Sequence, residues 1–128
     1  MECNHRPELI APAGNPEKLK AAIDFGADAV YLGGHEFSLR AMAANFSLPE
    51  IKEGLQIARR AGRRVYVTVN IFAHNHDIDR LPAYLAELNN LGVDGLIISD
   101  PGVMLLAQEF SPDLPVTIST QANVTNFR

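Results

Sequence analysis

At 128 residues, 47% of them hydrophobic and 20% charged, the chain is long enough to bury a core and too apolar for a disordered or fibrous protein. Its net charge of −4 excludes a whole-chain attraction to phosphates, so nucleic-acid binding has to come from a local patch. The single cysteine, Cys3, excludes an internal disulfide, and no run reaches the roughly 18 apolar residues of a membrane span; with no apolar stretch in MECNHRPEL, the expected location is the cytoplasm.

In chain order, ELIAPAG reads as a first strand near residues 8–13. Asn15-Pro16-Glu17 then opens a helix over 16–26, with a capping amide, a proline of pre-set φ and an acid at the positive end of the dipole. The run AAIDFGADAVYLGG passes through Gly26 into an apolar strand at 28–33. Ser47-Leu48-Pro49-Glu50 has the spacing of a capping box, and Ile51, Leu55, Ala58 and Gly62 recur at helical spacing along 48–61. IARRAGRRVYVTVN repeats the passage from helix through glycine to strand, here at 64–70. Leu81, Leu85, Leu88 and Leu91 mark the core face of a helix over 79–91, and ELNNLGVDGLIISD closes it and opens a strand at 94–99. Asp100-Pro101-Gly102 starts a last helix over 101–110, and PVTISTQ supplies a fifth strand at 115–120.

Strands this apolar, alternating with helices, imply an α/β fold with a parallel sheet covered by helices. The sequence after the first strand, APAGNPEK, lacks the GxGxxG of a dinucleotide-binding open sheet, which leaves a barrel as the better architecture. A complete (β/α)8 barrel of the TIM type takes about 250 residues, whereas five strands make parallel βα repeats forming its first half, incomplete in this chain. The expectation is one partial barrel domain over residues 1–128, an N-terminal fragment completed by a missing C-terminal half or by self-association through its open sheet edges.

Barrels present functional groups at the C-terminal ends of their strands. Those ends read Gly14-Asn15, Gly33-Gly34-His35, Asn70, Ser99-Asp100 and Thr120-Gln121. Asn70 and Gln121 offer donors and acceptors to a ligand, and Gly33 and Gly34 allow close approach to the backbone. Arg40, in the loop after the second strand, either holds a phosphate or carboxylate or pairs with Glu36. Asp100 is either an acid–base group or only the cap of the helix that follows. His74, nearer its strand end than His76, is the other candidate for the chemistry. His74, His76, Asp77 and Asp79 form no zinc spacing such as HExxH and read as a solvated loop with a capping Asp, so no metal site is assigned. Arg59, Arg60, Arg63 and Arg64 fall between a helix end and a strand start, the bottom of a barrel, where cations oppose the helix dipole rather than meet RNA.

PELIAPAGNPEKLKAAIDFGADAVYLGG, FSLRAMAANFS, VYVTVNIFAHN, GLIISDPGVMLL and ISTQANVTN, in this order from about Pro7 to Asn126, resemble the opening half of the peptidase U32 family, the collagenase-like peptidases. VNIFAHN, ISDPG and STQAN resemble most the branch implicated in hydroxylating a wobble uridine of tRNA; other branches are linked to ribosomal RNA and to ubiquinone hydroxylation. The resemblance implies tRNA modification, with Arg40, Asn70, Asp100 and Gln121 around the substrate, and a barrel carrying an iron–sulfur cluster in the full-length protein. The cysteine signature of the family is not in this sequence, and Cys3 alone cannot supply the four thiolates of a cluster. The expected partners are therefore a tRNA or a peptide, with no membrane and no cofactor held by this chain. Alternatives are a peptidase, for which no HExxH, GxSxG or strand-end cysteine beside a histidine is visible, and an inactive interaction fragment.

Overall fold

The computed structural model of the protein describes residues 6–39 and 45–126, so Cys3 and Arg40 lie outside the described residues. Its elements run β1 (Ile10–Pro12), α1 (Pro16–Asp24), β2 (Ala29–Gly33), α2 (Leu48–Arg60), β3 (Arg64–Val69), α3 (Asn75–Ile78), α4 (Leu81–Leu91), β4 (Gly95–Ile98), α5 (Pro101–Phe110) and β5 (Val116–Ile118), followed by a 3-10 turn at Thr120–Ala122.

Local chemistry sets these boundaries. The Asn15 Oδ1 accepts the Lys18 N–H at 2.8 Å and starts α1. Ser47 and Glu50 close both halves of a capping box on α2: the Ser47 N–H donates to Glu50 Oε2 at 2.7 Å, and Ser47 Oγ accepts the Glu50 N–H at 3.4 Å. The Ser47 N–H, and then the Ser47 hydroxyl donating to the same Oε2 at 2.8 Å, hold the Glu50 carboxyl below its ordinary value. At the other ends, Gly26, Gly62 and Gly92 take φ of 95°, 67° and 70°, the left-handed turn that stops a helix and that an L side chain resists. One short element departs from the sequence reading. Residues 75–78, expected in a solvated loop, form a single helical turn begun by the His74 N–H donating to Asp77 Oδ2 at 2.9 Å.

All five strands are parallel, in the order β1-β2-β3-β4-β5. Each crossover advances by one strand in the same direction. A doubly wound sheet reverses at a switch point, and this one does not, which is the winding of a barrel wall. β1 and β5 each pair on one side only, and Val116 and Ile118 of the edge strand β5 are exposed.

Register divides the sheet into two faces, because paired residues in parallel neighbours point the same way. Val30 and Val65, then Leu32, Val67 and Leu96, then Val69 and Ile98, form rows on the helix-covered face, at 0–2% exposure. They pack with Leu19, Ile51, Leu55, Leu81, Leu85 and Leu88 from the helices in one hydrophobic core. The other face carries the rows Pro12–Tyr31–Tyr66–Gly95 and Gly33–Thr68–Ile97–Thr117.

Charges gather at the N-terminal ends of the strands. Asp28 accepts the Leu9 N–H at 2.8 Å and pairs with Arg63 at 3.0 Å and Arg6 at 3.2 Å. The Leu9 N–H, helped by the two guanidinium groups and opposed by desolvation, holds its carboxyl below the usual value. Asp94 accepts the Val65 N–H in the same manner at 2.8 Å, Arg64 pairs with Glu8 at 2.7 Å, and Arg59 donates to the Gly92 carbonyl at 2.7 Å. Arg59, Arg63 and Arg64 thus join strand starts and helix ends, the structural role their position implied.

Candidate functional site

At the C-terminal ends of the strands the uncovered face deepens into a cavity of about 500 Å³. Its floor is the row Gly33, Thr68, Ile97 and Thr117, and its rim is made by the turns after β1, β2 and β5. Thr68 stands two residues before Asn70, so the strand period puts both on the cavity side. The Thr68 hydroxyl donates to the Leu32 carbonyl and lies 3.2 Å from Ser38 Oγ.

Asn70 ties three rim segments together. Its backbone N–H donates to the Phe37 carbonyl at 3.1 Å, and its Oδ1 accepts the Leu39 N–H at 3.2 Å. Its Nδ2 donates to Gln121 Oε1 at 2.7 Å. Gln121 is itself placed by the 3-10 turn after β5, where Ser119 Oγ accepts its N–H at 3.3 Å and Asn123 takes a left-handed φ of 51°. The two carboxamides therefore meet across the ends of β3 and β5, and each keeps hydrogen-bonding capacity beyond this mutual bond.

The turn after β2 is tightly fitted against its surroundings. A Cβ on Gly33 would lie 2.5 Å from Ser38 Oγ, and one on Gly34 would overlap the hydroxyl of Tyr84 on α4. Phe37 adopts φ of 60°, a left-handed conformation that costs a bulky residue energy, and its ring lies 5.1 Å from that of Tyr84. Arg80 covers the other face of this turn: it pairs with Glu36, and its guanidinium sits 5.6 Å from the Phe37 centroid. Among the described residues the partner of Glu36 is Arg80, while Arg40, the partner considered from the sequence, lies outside them. The Tyr84 hydroxyl is buried without a hydrogen-bond partner, and burial, with the Glu36 charge in second place, pushes its ionisation far above ordinary pH.

Of the residues singled out in the sequence, Asn70, Gln121 and Gly33 line the cavity together. Gly34 sits immediately behind it against Tyr84. Asp100 lies outside the lining and accepts the Val103 N–H at 3.0 Å as the cap of α5. His74 also lies outside the lining; it precedes the α3 turn, with its ring parallel to that of His76 at 6.0 Å. Arg40 lies outside the described residues.

The lining contains Ser38, Thr68, Thr117, Thr120 and the carboxamides of Asn45, Asn70 and Gln121, and its one charged side chain among the described residues is Lys18. It has no carboxylate, imidazole or thiol there. Among the described residues no three His, Cys, Asp or Glu side chains gather as a metal site, and no helix is long and apolar enough to cross a membrane. An iron–sulfur cluster needs several thiolates, so the residues present do not fit one.

Comparison with known proteins agrees with this architecture. The "tRNA hydroxylation protein P1" of Bacillus subtilis is 46% identical over 123 residues, which are 96% of this chain and 29% of that protein. The "tRNA hydroxylation protein P" of Helicobacter pylori J99 is 46% identical over 120 residues, 93% of this chain and 28% of that protein. The chain therefore spans less than a third of the length of these relatives. Among solved structures, the U32 peptidase Mk0906 superposes with a TM-score of 0.72 at 19% identity, covering 95% of this chain and 52% of that one, a likeness of fold. With the first five strands of the barrel in place and the model of peptidase family U32 matching residues 14–128, the chain belongs to peptidase family U32.

Proposed function

We propose that the chain supplies the uridine-binding wall of a protein that hydroxylates a wobble uridine of tRNA. The observation that carries this reading is the Asn70–Gln121 carboxamide pair over a floor of hydroxyls, in a cavity without acidic groups among its described lining. Uracil presents an acceptor, a donor and an acceptor along its pairing edge. Asn70, whose Oδ1 holds the Leu39 N–H, offers Nδ2 as a donor and Gln121 offers Oε1 as an acceptor, so the parted pair meets an acceptor and the ring N–H of uracil from either end of that symmetric edge, whereas cytosine has no ring N–H to give. Anticodon-loop bases are unpaired and can be splayed out of the stack into such a cavity. The names of the Bacillus and Helicobacter relatives support the same substrate class.

Hydroxylation replaces a C–H bond of the base by C–OH, a two-electron oxidation. No described residue supplies that electron transfer, so the role of this chain is to bind and orient the base. Asp100 and His74 belong to this proposal as residues near the rim rather than as groups with an assigned step. An iron–sulfur cluster in the whole protein is likewise part of the proposal, with no ligand taken from Cys3. A cytoplasmic location accords with a tRNA substrate. Proteolysis has less support: the described lining offers hydroxyls but no imidazole or carboxylate beside them, and no hydrogen bond joins Lys18 to a hydroxyl among the described contacts.

The test is a titration of the isotopically labelled chain with uridine and with cytidine, followed through the side-chain amide resonances of Asn70 and Gln121. Uridine is expected to shift both, and cytidine, with its donor–acceptor order changed, several-fold less. Equal shifts with the two nucleosides, or none with either, would refute uridine recognition. Gelatin cleavage by the purified chain, abolished by Ser38→Ala, would favour the peptidase reading instead.

A further inference from the structure

The amides occupy one side of the cavity, at the ends of β3 and β5. The opposite side, after β1, is built differently. Gly14 turns the chain there, Asn15 caps α1, and Lys18 from the first turn of that helix joins the lining. Lys18 is exposed, and among the described residues no carboxylate pairs with it; Glu17, in the same turn, is not part of the lining. In a protein of net charge −4, this gives the cavity a local sign opposite to that of the chain. Such a cavity repels cations and attracts an anion.

We infer that Lys18 forms an anion subsite of the cavity, which takes the phosphate of the nucleotide whose base meets Asn70 and Gln121. The inference rests on the uridine reading for the identity of the ligand, but the subsite itself rests on Lys18. β1 and β3 lie two strand spacings apart, about 10 Å, comparable with the reach of one nucleotide from base edge to phosphate. Between them the Ser38 side chain stands where a Gly33 side chain would, and both residues line the cavity. Free phosphate and a nucleotide phosphate share this chemistry, so the probes must separate them.

Four probes do so: inorganic phosphate, uridine, uridine 5′-monophosphate and the monophosphate at high salt, each titrated into the labelled chain and into Lys18→Gln and Lys18→Arg. The monophosphate is expected to bind about fivefold more tightly than uridine, the worth of one partly screened ionic contact. The advantage should vanish in Lys18→Gln, persist in Lys18→Arg and shrink as salt is raised. Inorganic phosphate should shift the backbone amides of Gly14 and Lys18 and leave the Gln121 side chain unmoved. Equal affinity for uridine and its monophosphate in the parent chain overturns the subsite, as does an advantage that survives Lys18→Gln. Phosphate shifts at Lys18 with no response of Asn70 or Gln121 to any nucleoside leave the subsite standing and overturn the uridine reading.

Discussion

Replacing Gly34 by alanine should reveal how closely the cavity rim is fitted to the helix behind it. Gly34 has no left-handed φ to defend, so alanine is acceptable to the backbone. The added Cβ, however, would overlap the Tyr84 hydroxyl and come within 3.1 Å of its Cζ. Overpacking of this kind costs about 1–3 kcal/mol. The overlapped atom is one the fold does not otherwise use, since the hydroxyl is buried without a partner, at a standing cost of about 1–3 kcal/mol. Tyr84→Phe alone should therefore leave the protein as stable as the parent or more so. In that background Gly34→Ala meets only the Cζ contact, which a shift of a few tenths of an ångström relieves, and should cost less than about 1 kcal/mol. The double-mutant cycle then carries a coupling of about 1–2 kcal/mol. Urea titration of the four proteins measures it, provided the slope with denaturant is unchanged. The same midpoint shift for Gly34→Ala in both backgrounds would refute the steric account.

Ser47→Ala removes one half of the α2 capping box and should lower stability by about 1 kcal/mol, seen as a drop of several degrees in the melting temperature. Asp28 and Glu50 both have carboxyls held below their ordinary values of 3.8 and 4.5, so each contributes stability that is fully present above those values. That contribution is lost as pH falls through the depressed folded-state values; urea midpoints should be flat from neutrality to about pH 5 and decline below it, and Asp28→Asn should remove part of the decline.

Much of this fold is legible in the chain because its boundaries rest on local chemistry. Asn15, Ser47 and Asp100 cap their helices through their own side chains, and Gly26, Gly62 and Gly92 end theirs with a φ that few other residues accept. The repeat also carries a contact between its units. Asp28 and Asp94 each stand two residues after such a glycine and accept the N–H that starts the neighbouring strand, a contact between segments that spacing alone does not display. The α3 turn escaped because four residues are too few to show a helical period, and its cap uses Asp77 rather than a serine at the start. The candidate site was legible where amides end strands, at Asn70 and Gln121. Thr68 was hidden inside an apolar run, although its distance of two from Asn70 was the available signal. Lys18 lies on a helix whose polar residues all look alike in one dimension, and only the sheet order brings it to the cavity.

The ion pairs at the strand starts and the amides at the strand tips share no residue. Replacement of a tip side chain therefore leaves the fastenings of the scaffold untouched. The two sets of positions alternate along the sequence, only six residues apart at Arg64 and Asn70, yet each can vary without breaking the contacts of the other.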